Sequence, residues 1–551
     1  MSSAREVVTI QAGSFANFIG THWWNIQESS FCYSPDSSIP LDINHDVLFR
    51  EGLNLHREVT YTPRLVLVDL QDNLTSIRKE CPLYRSSNED KSETLWDGPV
   101  EVIKSEEIKK NPFLEEFEKM SDTSEMNTDV SEESKTQKIS EILYDFNNPS
   151  TVWCDFLKTN LHPRSFCLFN ELSCTQNNSP LDLYSNGEEI YSTDGKEMIE
   201  DAVRRMSEEC DYLQGFHVLF DAHNGFSGIT NNILQYLDDE YKRIPSLCFP
   251  VFQSNKANPV PDIKEEMNRL YAVLNSMSNL NNYCSLFSPL CLSDSIVTQS
   301  PPYRSFPYLE YQPNLLYQTS AIYAAAIETL TSPYRLKAMK FNMGDITSVM
   351  STYGRKLVCS STCLPFPLNH DSYLSSMVEN DVPEYYMTSL TPFYKPESER
   401  TLFQSAVLRG IPVNKFQKPG NCMYHSTQLE EIFGQYLNKY SASSVTTATV
   451  FKEMCSVAAP FPRFFKPVVS DCGFLYQLMN LKQKGVNKVP IAASFNNSDS
   501  SGNFIDDLIS QASKLTFREY VKCTETTYEK DNYVEIIESL RGLQDNYQNY
   551  N

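Results

Sequence analysis

The chain has 551 residues, 41% hydrophobic and 12% aromatic, with 30 Pro, 18 Gly and a formal charge of −23. That length exceeds what one hydrophobic core usually supports, so more than one packed unit is expected, and the apolar share excludes a wholly disordered chain. Seventy acidic against forty-seven basic side chains suit neither bulk nucleic-acid binding nor an anionic membrane leaflet, since both need clustered Lys and Arg.

In chain order, the first predicted element is a strand over residues 6–11, Glu-Val-Val-Thr-Ile-Gln, rich in β-branched side chains. Its apolar run breaks at Gln11, so neither a secretory signal nor an Arg-rich transit peptide is expected. Ala12-Gly13-Ser14 turns the chain into a helix from Phe15 to Glu28, with Phe15, Phe18, Ile19, Trp23 and Ile26 at helical spacing. Of the adjacent Trp23 and Trp24 only one can face a core squarely. One buried ring and one ring at a domain junction are therefore expected. A second strand, Leu65-Val-Leu-Val-Asp69, is apolar almost throughout, as in a parallel sheet buried on both faces.

Residues 86–135 carry fifteen acidic and six basic side chains, so they alone supply −9 of the net charge. They read as a flexible insertion with helical pieces around Pro112–Lys119, and a partner-binding role and a plain solvated loop both stay open. Ordered structure is expected again near Trp153. A helix from Lys196 to Cys210 leads into a strand, Gly215 to Asp221, a turn Ala222-His-Asn-Gly-Phe-Ser-Gly228 and a helix over Ile229–Lys242. Such strand–turn–helix alternation argues for an α/β sheet. Ala321–Leu330 reads as a buried helix, far below the roughly 18 residues of a membrane span. Residues 331–490 mix short strands with Pro-rich turns, and the last stretch, with Tyr533–Leu540, is polar and helical. There is no internal repeat.

Fifteen scattered cysteines without a signal point to reduced thiols, and no CxxC pair occurs. Cys359 and Cys363, with His370 nearby, lack a second ligand pair, so two semi-buried thiols are the plainer reading and no metal site is expected. His162-Pro-Arg-Ser165 has neither a third orienting group nor an oxyanion site, and reads as a hydrogen-bonded turn rather than a catalytic pair. His223 is read as capping its own turn. Pro301-Pro302-Tyr303 is a stiff loop. In open α/β sheets ligands bind beyond the carboxyl ends of strands, where helix N-termini attract anions. Gly13-Ser14, Asp69 and Asn224–Gly228 all fall at such ends. Backbone N–H groups there could cradle phosphate and Asp69 could hold hydrated Mg²⁺. Neither GxxxxGK[ST] nor GxGxxG is present, so spacing alone leaves a nucleotide pocket and ordinary helix-starting turns both open.

Val8-Thr-Ile-Gln-Ala-Gly13 with Asn17, Ile19, Gly20 and Trp23, then Tyr61-Thr-Pro-Arg-Leu-Val-Leu-Val-Asp-Leu70, then Asp211-Tyr-Leu-Gln-Gly-Phe216, resemble tubulins. Within that superfamily the chain is similar to the Misato family. The residues that carry this are Gly20-Thr-His-Trp-Trp-Asn25, Asn160-Leu-His-Pro-Arg-Ser165, Glu209–Phe216, Asp221–Gly228 and Leu364-Pro-Phe-Pro-Leu368. The resemblance implies a tubulin-like α/β fold: a parallel-sheet nucleotide-type domain, an α+β intermediate-type domain and C-terminal helices. The expected boundaries are 1–85, an acidic insertion 86–150, the rest of the nucleotide-type domain 151–330, the intermediate-type domain 331–490 and a helical region 491–551.

The departures from tubulin bear on chemistry. The glycine-rich phosphate turn is replaced by His223-Asn-Gly-Phe-Ser-Gly228 and the phosphate-side Gln by Ser14. Phe15 and Phe226 are expected to crowd a nucleotide. Gln71 replaces an acidic residue that helps bind magnesium. Thr352 stands near the place of the carboxylate that a tubulin donates to its neighbour, with Asp345 out of register. No catalytic residue and no GTPase activity are therefore expected. Residual nucleotide binding, with GTP as the one cofactor left open, would rest on Gly13, Ser14, Asp69, Gly225, Ser227 and Gly228. The resemblance further implies a cytoplasmic factor, peripheral to the mitochondrial outer membrane, acting in mitochondrial distribution and morphology and in spindle microtubule assembly. Its implied partners are tubulin, the cytosolic chaperonin machinery or mitochondrial surface adaptors. The alternative is a GTP-binding switch.

Overall fold

The computed structural model describes residues 5–31, 42–53, 57, 59–74, 112–116, 146–148, 151–170, 181–253, 263–298, 300–338, 340–369, 386–396, 401–412, 429–440, 443–476, 485–514 and 530–548. Most of the 86–150 insertion and His370 lie outside the described residues. The pieces of the insertion that are described are packed: Phe113 and Phe146 are buried, with ring centroids 5.6 Å apart.

The first half contains β1 (Glu6–Ala12), α1 (Ser14–Glu28), β2 (Phe49–Leu53), β3 (Val59–Pro63), β4 (Leu65–Leu70) and β5 (Phe166–Phe169). Then come α2 (Tyr184–Ile190), α3 (Lys196–Glu208), β6 (Leu213–Asp221), α4 (Gly225–Glu240), β7 (Ser246–Val251), α5 (Ile263–Tyr283), β8 (Leu286–Phe287) and α6 (Leu316–Leu330). Six strands form one parallel sheet in the order β5-β4-β1-β6-β7-β8. All of β1 and β4 is buried, which is why β4 runs apolar instead of alternating. β2 and β3 form a separate antiparallel hairpin. The strand order reverses between β1 and β6, which places a topological switch point at their carboxyl ends.

The second half contains α7 (Met343–Met350), β9 (Cys359–Cys363), β10 (Thr388–Ser389), β11 (Thr401–Arg409), α8 (Leu429–Tyr440), β12 (Ser443–Phe451), β13 (Cys455–Ser456), β14 (Lys488–Val489) and β15 (Ile491–Ser498). A mixed sheet runs β10-β9-β15-β11-β12, with β11 parallel to β12 and antiparallel to β15. Because β15 pairs with both β9 and β11, the sheet reaches past the boundary at 490 drawn from the sequence. A strand central to a sheet belongs to it whatever its distance along the chain. α9 (Ser501–Lys514) and α10 (Lys530–Asp545) follow, and α10 packs on α9 and α5. The chain is thus an α/β protein with C-terminal helices.

α6 is buried along its whole length from Tyr317 to Leu330, because it lies between α1 and the second sheet, against β11 and β15. A helix enclosed on every side has no solvent-facing polar stripe, and its buried Gln318, Thr319, Ser320 and Thr329 side chains bond within the protein. Its one acid, Glu328, pairs with Arg335 at 2.7 Å and Arg409 at 3.2 Å, and accepts from Trp23 Nε1 at 2.9 Å. Both Trp23 and Trp24 are buried, against the expectation of one: Trp23 turns to Glu328 and Trp24 packs edge-on to Phe49, so different elements cover the two rings. No helix among the described residues is long and apolar enough to cross a membrane.

Candidate functional site

Register brings the carboxyl ends of three neighbouring strands level. Ala12 pairs with Val68 on one side and with Phe220 on the other, so Gly13, Asp69 and Asp221 follow side by side. Gly13 has φ 107°, a left-handed backbone that glycine tolerates without strain. A Cβ there would also lie 2.6 Å from Cγ of Asp221. α1 starts at Ser14, half-buried, with no side-chain cap of its own. Its first-turn donors are satisfied from across the sheet instead. Phe15 N–H donates to Asp221 Oδ2 at 3.1 Å and Ala16 N–H to Oδ1 at 2.8 Å. Burial pushes the Asp221 carboxyl up to about 7; the two N–H groups oppose that rise and nearby Asp69 adds to it.

Asp69 is fully buried. Its Oδ2 accepts from Asn17 Nδ2 and Trp153 Nε1, both at 2.8 Å, and its Oδ1 from Leu70 N–H at 2.8 Å and Asn73 Nδ2 at 2.7 Å. Burial raises this carboxyl above its ordinary range while those four donors work against the rise. Four bonds fill the acceptor sites of a carboxylate, so a hydrated cation would have to displace donors already in place. Gln71, which follows, is exposed in a short turn.

The turn expected between β6 and α4 is itself the first turn of α4, which begins at Gly225 rather than near Ile229. The reason is local: Asn224 caps the helix, its Oδ1 accepting from Phe226 N–H at 3.1 Å while its carbonyl accepts from Ser227 N–H at 3.0 Å. His223, read from sequence as the cap, is instead buried with its ring held neutral by burial. Gly225 N–H donates to the Leu181 carbonyl at 2.9 Å. The glycines serve a helix crossing. A Cβ on Gly228 would lie 2.2 Å from the Tyr184 carbonyl, and one on Gly187 would lie 1.8 Å from the Gly225 carbonyl, so α2 lies directly on the N-terminus of α4. Ser227 is buried and its hydroxyl donates back to the Asn224 carbonyl.

The structure therefore brings Gly13, Ser14 and Asp69 together at one strand edge, and places Gly225, Ser227 and Gly228 beneath α2. The two phenylalanines expected to crowd a nucleotide are core residues. Phe15 packs edge-on to Tyr323 of α6 at 6.1 Å, and Phe226 joins the apolar cluster that contains Leu181. Thr352 donates its hydroxyl to the Val349 carbonyl at 2.7 Å, and Asp345 is held in a capping box with Asn342 at the start of α7. His162 Nδ1 accepts from Arg164 N–H at 3.1 Å, as in a structural turn. Cys359 and Cys363 are buried in β9. Among the described residues no group of three or more His, Cys, Asp or Glu is placed to hold a metal ion.

Sequence reasoning noted Asp221 as a strand-ending acid but gave it no part in the site. The available signal was its position, the last residue of the strand beside β1. It likewise missed Glu328, whose signal was a lone carboxylate in an otherwise apolar helix.

A family model described as the Misato Segment II tubulin-like domain matches residues 5–119, and one described as a tubulin domain matches residues 147–336. The chain is 32% identical to Protein misato homolog 1 of Homo sapiens, over 99% of this chain and 98% of that protein. It is 28% identical to Protein misato of Drosophila melanogaster over 99% of each.

Proposed function

The chain belongs to the Misato family of tubulin-like proteins, and from that premise we propose that it is a non-enzymatic, partner-binding scaffold. In this reading it serves mitochondrial distribution and morphology and the assembly of spindle microtubules. The observation that carries the non-enzymatic half is the saturation of the switch point. Phe15, Ala16, Gly225, Phe226 and Ser227 each donate their N–H groups within the chain. A phosphate would need several of these donors free at once. Asp69, already accepting four bonds, supports the same reading, as does Asp345, whose carboxylate accepts from Asn342 N–H at 2.8 Å.

A tubulin-shaped body without hydrolysis suits a protein that binds tubulin, the chaperonin that folds it, or an adaptor on the mitochondrial surface. Its proposed place is the cytoplasm, with peripheral attachment to the outer membrane through such adaptors, because a charge of −23 gives little attraction to anionic lipid.

The test is the nucleotide content of the purified full chain, by denaturation and chromatography, with a GTP titration alongside. No guanine nucleotide, and no binding at millimolar GTP, is the expected result. Near-stoichiometric nucleotide would overturn the reading in favour of a GTP-binding switch. In cells, depletion should change both mitochondrial morphology and spindle microtubule density, and unchanged morphology with normal spindles would remove the cellular half of the proposal.

A further inference from the structure

We infer that Asp221 is an intramolecular ligand: its carboxylate occupies the anion site formed by the first turn of α1, where an external phosphate or carboxylate would bind, so that the domain reaches its ligated form without one. The inference deepens the scaffold reading of the same site and rests on it.

Its geometry is that of a bound oxyanion. Two oxygens meet two consecutive backbone N–H groups, at 3.1 Å from Phe15 and 2.8 Å from Ala16, on a helix whose N-terminus has no side-chain cap. The unpaired donors and the helix dipole together make that end attractive to negative charge. The groove is also shaped to the carboxylate. Gly13 has φ 107°, and a Cβ there would lie 2.6 Å from both Cγ and Oδ2 of Asp221, so any other residue at 13 would expel the group.

A cation does not hold it. Among the described residues Asp221 forms no ion pair. From β4 it faces Asp69, of its own sign. Arg269 of α5 interacts with it through its field only and donates to the Gln253 carbonyl at 3.1 Å, and burial holds the ring of His223 neutral. An aspartate that merely ended a strand would turn to solvent, yet this one is 1% exposed. Burying a carboxylate without a counter-ion is costly unless donors replace its water, and here the helix end supplies them.

The test uses the full chain in equilibrium urea unfolding at pH 8, for wild type and Asp221→Ala, with sodium formate titrated against sodium chloride at matched ionic strength. Asp221→Ala should unfold at lower urea. Formate, the carboxylate that the substitution removes, should move its midpoint back by at least half the loss and leave wild type unmoved. A midpoint equal to wild type, a loss that formate does not recover, or equal stabilisation of wild type by formate or inorganic phosphate would each overturn the inference. Should Asp221→Ala not fold, Asp221→Asn gives a second readout by amide exchange. Phe15 and Ala16 should then exchange at least about tenfold faster while Leu70, bonded to Asp69, is unchanged; unchanged exchange at 15 and 16 overturns the inference. Nucleotide on the wild-type chain would overturn the scaffold reading instead, and the two assays share no readout.

Discussion

Two buried acids, in different parts of the molecule, have opposite electrostatics. Glu328, at the junction of α1, α6 and the second sheet, is 1% exposed, as is Asp221 at the switch point. Burial by itself raises both. At Glu328 the guanidinium groups of Arg335 and Arg409 outweigh burial and hold the carboxyl below its ordinary range. At Asp221 neutral donors, the Ala16 and Phe15 N–H groups and the Asn224 side chain, do not, and the carboxyl sits near 7. Full charges offset desolvation where dipoles only moderate it. The junction is therefore an ion-paired clasp, and the switch point is a carboxylate held by a helix end.

Removing a partner should break that comparison most visibly at the clasp. Glu328→Ala leaves Arg335 without its anion and Arg409 with only Glu453 at 3.5 Å, and should cost about 3–5 kcal/mol in urea unfolding. A loss no larger than that of an exposed glutamate would mean that the clasp does not operate.

Titration separates the two acids next. Asp221 titrates near 7 when folded and near ~4 when unfolded. The native state therefore binds the extra proton between these values, and the part of the stability linked to that proton is present at low pH and lost as pH rises through 7, while the bonds from the Phe15 and Ala16 N–H groups persist above it. Glu328, held low, acts in the opposite sense: its contribution is present at neutral pH and is lost as pH falls below the ordinary glutamate range. Asp221→Asn should be less stable than wild type at pH 5, and the gap should narrow by pH 8. A gap that widens would contradict the raised carboxyl.

Two smaller substitutions sharpen the account of the switch point. Gly228→Ala places a methyl 2.2 Å from the Tyr184 carbonyl and should cost about 1–3 kcal/mol by forcing α2 off α4. A neutral result would show that the helices do not touch. Asn224→Ala removes the cap of α4 and should lower stability by about 1 kcal/mol, read as a small fall in thermal midpoint. No change would mean that Asn224 is not the cap.

The parts legible in the sequence are those written locally. β-Branched residues marked β1, and an apolar run marked β4 because a strand buried on both faces shows no alternation. Helical spacing marked α1, and the largely apolar run Ala321–Leu330, broken by Glu328 and Thr329, marked α6. The gathering of Gly13, Ser14 and Asp69 also followed from local pattern, since consecutive strand–turn–helix units bring carboxyl ends to one edge, whereas the tubulin-like order was implied by the family resemblance. Contacts between distant segments were not legible. Asp221 meets Phe15 across 206 residues, and Glu328 meets Arg409 across 81. Gly225 and Gly228 read as phosphate glycines because a close approach requires glycine whatever does the approaching. Only the folded chain decided that the approaching group was the backbone of α2, and that the anion at the end of α1 was the protein's own.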